Sequence, residues 1–123
     1  MPPKKKKKKV KSSTLSAKLD RIFSVYIRRR DAVATTGSLD RFECVTCGDN
    51  TDVKKGHAGH FVSRRHKSVR WDERNVHAQC TKCNTFNYGE IQLYFMRMEE
   101  MYGRRVTEEL IAMKFVTKKF QIS

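Results

Sequence analysis

The chain has 123 residues, the size of one domain. Its 27 basic and 13 acidic side chains give a formal charge of +14, which points to a polyanionic partner, nucleic acid first. No apolar run approaches the roughly 20 residues of a membrane span, and no apolar stretch of a signal peptide follows the lysines. A membrane protein and a secreted one are therefore not expected, and a cytoplasmic location is.

Residues 1–13 ("MPPKKKKKKVKSS") are too polar to form a core and read as a disordered basic arm. Lys4, Lys5, Lys6, Lys7, Lys8 and Lys9 would either solubilise the chain or grip phosphate without sequence preference. The rest of the chain still carries about half of the net charge, so the basic character is not confined to this arm.

Over residues 14–36, Leu15, Leu19, Ile22, Phe23, Tyr26 and Ile27 recur at helical spacing, with Lys18, Arg21, Arg28 and Arg30 opposite. This predicts an amphipathic helix whose apolar stripe docks on the following domain. Gly37 and Ser38 mark the loop after it. Residues 37–103 form the expected core: a turn-rich start, a hairpin around His57 to Val62, a basic loop from Ser63 to Arg74, and the strand-like "NVHAQC". A second helix is expected to begin after Cys83, with Ile91, Tyr94, Phe95, Met98, Met101 and Tyr102 as its buried stripe and Gly103 as its stop. Residues 104–123 read as a C-terminal helical extension that Thr107 could cap.

Cys44-x-x-Cys47 and Cys80-x-x-Cys83 form two knuckles, and four thiolates make a closed tetrahedral site of the structural zinc type. In a cytosolic chain, metal binding is the expected use of such cysteines. The site is full without help from histidine, so the imidazoles of "HAGHFVSRRH" are available for other work.

Phosphodiester hydrolysis needs a base for water and a cation on the phosphate. His60, followed by apolar Phe61, could take a proton from water as a neutral imidazole. Asn84 follows Cys83, so zinc would aim its amide oxygen back at the hairpin. Oxygen and imidazole donors with several waters suit Mg²⁺ or Mn²⁺. Arg64 and Arg65 read as phosphate contacts, with His66, Lys67 and Arg70 in the same basic run. His77 reads as a core or supporting histidine, and Trp71 as an anchor for the basic loop or a base-stacking residue.

The ordered residues "GHF", "RNVHAQC" and "CN" resemble the four-cysteine version of the HNH, or ββα-metal, endonucleases. The stretches "VYIRRRDA", "CVTCG", "HAGHF", "VRWDERNVHAQCTKCN" and "YFMRMEEMYG" resemble more closely the NinG (Rap) recombination proteins of phage lambda, over roughly residues 20–103. The resemblance implies an α+β fold: a small zinc-stapled, treble-clef-like ββα core with flanking amphipathic helices. It implies His60 as general base, Asn75 as the asparagine that orients the hairpin through backbone hydrogen bonds, and Asn84 as a ligand of the catalytic metal. Many HNH enzymes carry an aspartate ligand immediately before the base; Gly59 stands here, and His57 is the substitute.

The resulting expectation is a Mg²⁺-dependent, structure-selective DNA endonuclease for branched recombination intermediates, such as Holliday junctions or D-loops, working in the host cytoplasm. Two active sites would suit a homodimer, with the C-terminal helices as candidate contacts. The alternatives are a zinc-stapled DNA-binding accessory protein that does not cut, and an HNH nicking enzyme of relaxed specificity acting on ordinary duplex.

Overall fold

The computed structural model describes residues 11–116. Helices α1 (Ser12–Thr36), α2 (Lys67–Arg70), α3 (Ile91–Tyr102) and α4 (Arg104–Met113) combine with strands β1 (Arg41–Glu43), β2 (Asn50–Asp52), β3 (His57–His60) and β4 (Val76–Gln79). The fold is thus mixed α+β, as expected. β1 pairs antiparallel with β2, and β3 pairs antiparallel with β4 in the register His57 to Gln79, Gly59 to His77 and His60 to Val76. No helix among the described residues is long and apolar enough to cross a membrane.

Helix α1 begins at Ser12, inside the segment expected to be an arm, and ends on Gly37 in the left-handed conformation that glycine adopts without strain. It docks on only part of the expected stripe, with Ile27 buried and Phe23 half-buried. Leu15, Leu19, Ile22 and Tyr26 face outward, whereas Ile27, Asp31 and Ala32 are buried.

The reason is the open edge of β4. Two-stranded sheets leave backbone groups on their edges that need partners. Asp31 Oδ2 accepts from the Ala78 N–H at 2.7 Å. Arg30 donates to the carbonyls of Glu73 at 2.8 Å and Val76 at 2.7 Å, while its Nε pairs with Asp31. Arg28 donates to the carbonyl of Val53. The helix therefore docks in part by closing the β4 edge through Asp31 and Arg30, while Arg28 ties it to the turn after β2; both arginines were expected opposite the docked stripe.

Two small cores result. Ala32, Phe42, Val53 and Ala78 pack around Cys44, Cys80 and Cys83. Phe61, Val62, Val69, Tyr94, Met98 and Leu110 form the other, beneath α3 and α4. The expected buried stripe of α3 is narrower than its sequence suggests: Tyr94 and Met98 are buried, but Ile91, Met101 and Tyr102 remain exposed.

Local boundaries also shift. The loop between β3 and β4 runs from Phe61 to Asn75, so the hairpin is far longer than a turn around His57 to Val62. Around Cys83 the chain makes a wide turn over Lys82–Phe86, closed by the Asn87 N–H to the Lys82 carbonyl at 2.9 Å, before α3 begins at Ile91. α4 starts at Arg104 rather than at a Thr107 cap; Thr107 is buried in its first turn and donates back to the Gly103 carbonyl.

Candidate functional site

The ligand atoms of Cys44, Cys47, Cys80 and Cys83 lie within 4.8 Å of one another. The sulfurs of Cys47 and Cys80 are 3.7 Å apart, too far for a disulfide at about 2.05 Å and close to the roughly 3.8 Å that a tetrahedral ion with Zn–S bonds of about 2.3 Å imposes. This set could hold a zinc ion. Cys44, Cys80 and Cys83 are buried and Cys47 is exposed.

Backbone donors suit thiolates here. The Cys80 N–H points at Cys44 Sγ at 3.3 Å, and the Asp49 N–H at Cys47 Sγ at 3.5 Å. Burial pushes the Cys44 thiol up, but hydrogen bonds from the Thr46 hydroxyl and from backbone N–H groups outweigh it and bring it to about 7. Gly48, at φ +80°, lets the first knuckle turn so that its N–H meets the Cys44 carbonyl at 2.8 Å.

Beside the knuckles lies a cleft of about 530 Å³ lined by His57, His60, Asn84, Arg64, Asp20 and neighbouring residues. β3 supplies the two histidines, the second knuckle supplies Asn84, and α1 supplies Asp20. Asn84 is held by its own N–H, which donates to the Cys80 carbonyl at 3.0 Å. The cysteine cluster and the cleft therefore share a wall.

His60 Nε2 lies 2.7 Å from the carbonyl oxygen of Arg70. A carbonyl only accepts, so this nitrogen carries the hydrogen and Nδ1 keeps the lone pair. Burial pushes the His60 pKa below its ordinary 6.5, partly opposed by the Arg70 carbonyl. The ring is neutral at pH 7. Tyr94, wholly buried on α3, donates to the Gly59 carbonyl at 2.7 Å and so fixes the strand one residue before His60.

Asn75 lies outside the cleft and is wholly buried. Its amide accepts from the Val62 N–H at 2.9 Å and donates to the carbonyls of Val62 at 2.9 Å and Val69 at 3.2 Å. It ties the exit of β3 to the basic loop. Arg64 and Arg65 are exposed, as is Lys67, while His66 is half-buried. Arg70 departs from the open phosphate contact expected of it, because its guanidinium forms a two-point pair with Asp20. Lys4 to Lys9 lie outside the described residues. His77 is buried, 2.8 Å from the Tyr102 hydroxyl, and burial lowers its pKa to about 4.

Two residues escaped the sequence reading. Asp20 binds Arg70, accepts from Trp71 Nε1 at 3.0 Å and lies 3.9 Å from Arg64, so one carboxylate anchors the basic loop. An acid isolated among the basic residues of α1 was its only signal. Gln79 donates from Nε2 to Thr46 at 3.0 Å and to the Gly89 carbonyl at 2.9 Å. Its Oε1 is buried without a hydrogen-bond partner among the described residues. A side chain at Gly59 would start 2.1 Å from that oxygen. This close approach, rather than backbone freedom, accounts for glycine at this position.

A family model described as bacteriophage lambda NinG protein matches residues 2–123. "Protein ninG" of Salmonella phage P22 is 30% identical over 88 residues, that of Escherichia phage 933W 28% and that of Escherichia phage lambda 27%. Each alignment takes in 71% of this chain but only 39% of the relative. The chain thus spans about two fifths of the length of these relatives. No solved structure matches it.

Proposed function

The chain belongs to the bacteriophage lambda NinG protein family, and from that premise we propose that it is a divalent-metal-dependent, structure-selective DNA endonuclease. Its substrates would be branched recombination intermediates such as Holliday junctions or D-loops. β3, β4 and the helical turn that follows Cys80 would form the HNH ββα unit, with zinc on the four thiolates as its staple. The observation that carries this reading is His60: a neutral ring, Nε2–H spent on a carbonyl, in a cleft shared with Asn84 and His57.

The donor set fits the proposed ion. Asn84 offers an amide oxygen and His57 an imidazole nitrogen, a neutral pair that suits Mg²⁺ or Mn²⁺ still carrying several waters. When bound, such an ion neutralises the phosphate and the charge that develops at phosphorus and on the leaving oxygen. His60 Nδ1 takes the proton of the attacking water. The Arg70 carbonyl keeps the ring in the tautomer that can do so. Arg64, exposed at the cleft, holds a backbone phosphate, and Arg65 and Lys67 extend that contact. None of the described helices resembles a major-groove recognition helix, so selectivity would come from DNA shape.

The test compares wild type with His60→Ala on a four-way junction and a linear duplex, in Mg²⁺ and then in EDTA. Metal-dependent cutting of the junction, lost in the variant, is the expected result. Equal cutting by the variant removes His60 as the base. Preference for the duplex indicates the nicking enzyme, and binding without any cutting indicates the accessory protein.

A further inference from the structure

We infer that α1 is the contact between two copies of this chain, paired antiparallel about a dyad at the level of Ser24. Leu15 is 56% exposed, Ile22 61% and Val33 52%, and Leu19 and Tyr26 are exposed with them. A single exposed leucine means little, but a stripe of five exposed apolar side chains along one helix face signals a partner.

The spacing identifies which partner. Leu15, Leu19, Ile22, Tyr26, Arg29 and Val33 alternate four and three residues apart, the heptad seam of a two-stranded coiled coil. The seam lies opposite the docked side of α1, where Ile27, Asp31 and Ala32 are buried; at its border the Tyr26 hydroxyl donates to Glu73, which leaves the face of the ring to the partner. A helix of 25 residues is about 37 Å long, enough for three heptads.

Arg29 sets the direction. A parallel pair would stack Arg29 on its own copy, two like charges inside the seam. The antiparallel pair sets Leu15 against Val33, Leu19 against Arg29 and Ile22 against Tyr26, and every seam position finds a partner in that one register. The two Arg29 side chains then stand about ten residues of helix rise apart, roughly 15 Å, beyond the Debye length at physiological salt. The symmetry is isologous and closed, as a dimer of identical chains requires.

This places the contact on the N-terminal helix rather than on the C-terminal helices expected from sequence. It does not depend on the nuclease reading, and it has a consequence for it. Asp20, Phe23 and Ser24 line the cleft from another side of α1, so the dyad would set two clefts at the same level, one on each copy.

Sedimentation of the full chain in about 0.3 M salt, which screens the basic charge, tests the inference. The expected mass is twice 14.4 kDa at high concentration, falling to one chain on dilution. Ile22→Glu should give a monomer of unchanged zinc content and helicity, since that side chain supports no core. The pair Leu15→Glu with Val33→Lys should remain dimeric, and Leu15→Glu with Val33→Glu should not. A wild-type monomer at every concentration, or a dimer that survives Ile22→Glu, overturns the proposal. Loss of the dimer in both double variants overturns the antiparallel register.

Discussion

The carbonyl oxygen of Arg70 stands 2.7 Å from Nε2 of His60 and decides which nitrogen of that ring can take a proton. Burial, the larger influence, holds the His60 pKa below 6.5. On the proposed nuclease reading, the acid limb of the pH–rate profile for DNA cleavage should therefore lie below pH 6.5, with rate falling tenfold per pH unit beneath it. His60→Ala should lose about 10²- to 10⁴-fold in kcat. A limb above pH 6.5 would show that another group limits the reaction.

Zinc removal should unfold the chain rather than only inactivate it. Apparent zinc-binding energies of about 10 kcal/mol or more match or exceed the whole stability of a small domain. Cys44, Cys80 and Cys83 also sit inside one of the two cores. Chelation by phenanthroline should abolish the cooperative thermal transition, and metal analysis should give one zinc per chain. Because the Asn84 N–H is bonded to the Cys80 carbonyl, its amide resonance should be among those lost. A folded, metal-free chain would sink the staple.

Gly59→Ala should cost about 1–3 kcal/mol by overpacking, since its Cβ would lie 2.1 Å from Gln79 Oε1 and 3.0 Å from Gln79 Cβ. Gln79→Ala should also destabilise, because Thr46 and the Gly89 carbonyl lose their donor. The double variant should cost less than the two singles together, since removing the glutamine clears the clash. Denaturant unfolding of the four proteins measures this coupling. Strict additivity would mean that β3 shifts away from β4 instead.

Sequence reading reached as far as local spacing carries information. Two Cys-x-x-Cys knuckles announce a set that could hold a metal because each pair is local, its cysteines three positions apart. Helical periodicity likewise reveals that α1 exists. Which way α1 faces is a different kind of fact. It depends on Ala78 and Val76, more than forty residues away, whose backbone groups need Asp31 and Arg30. Periodicity ranks faces by hydrophobicity and cannot register a hydrogen-bond debt on a distant strand edge. Asp20 was invisible for the same reason, since its partners Arg70 and Trp71 come from the far end of a long loop. Gly59 was read as a missing ligand because the side chain filling its space belongs to the paired strand.

His77 should make stability depend on pH. Burial lowers its pKa to about 4 in the folded chain, against 6.5 in the unfolded one. The unfolded state thus binds the extra proton first, and stability falls as pH drops from 6.5 to about 4, then levels off. Shifts of this size correspond to roughly 3 kcal/mol in total. His77→Gln should flatten that part of the difference, leaving the separate acid effect of thiolate protonation. A His77 ring titrating near 6.5 by NMR would remove the basis for this.

Asp20 offers a prediction whose sign separates two roles. The Arg70 side-chain hydrogen bond, opposed by partial burial, holds its carboxyl below the usual 3.8. Its contribution to stability is therefore complete above pH 3.8 and lost only as pH falls through the lowered value. In Asp20→Asn the cleft loses a negative charge, so DNA should bind more tightly if repulsion were the only effect. As a positioning residue, however, Asp20 holds Arg70, whose carbonyl holds His60. On that account kcat should fall about tenfold or more while DNA affinity rises or stays level, and the His60 pKa should move. Stability should drop by about 1.5–3 kcal/mol, the scale of a hydrogen bond to a charged group. Arg70→Lys keeps the charge but not the two-point pair, and should reproduce the loss in part. Unchanged kcat in Asp20→Asn, with tighter DNA binding, would leave Asp20 as a phosphate-repelling charge and nothing more.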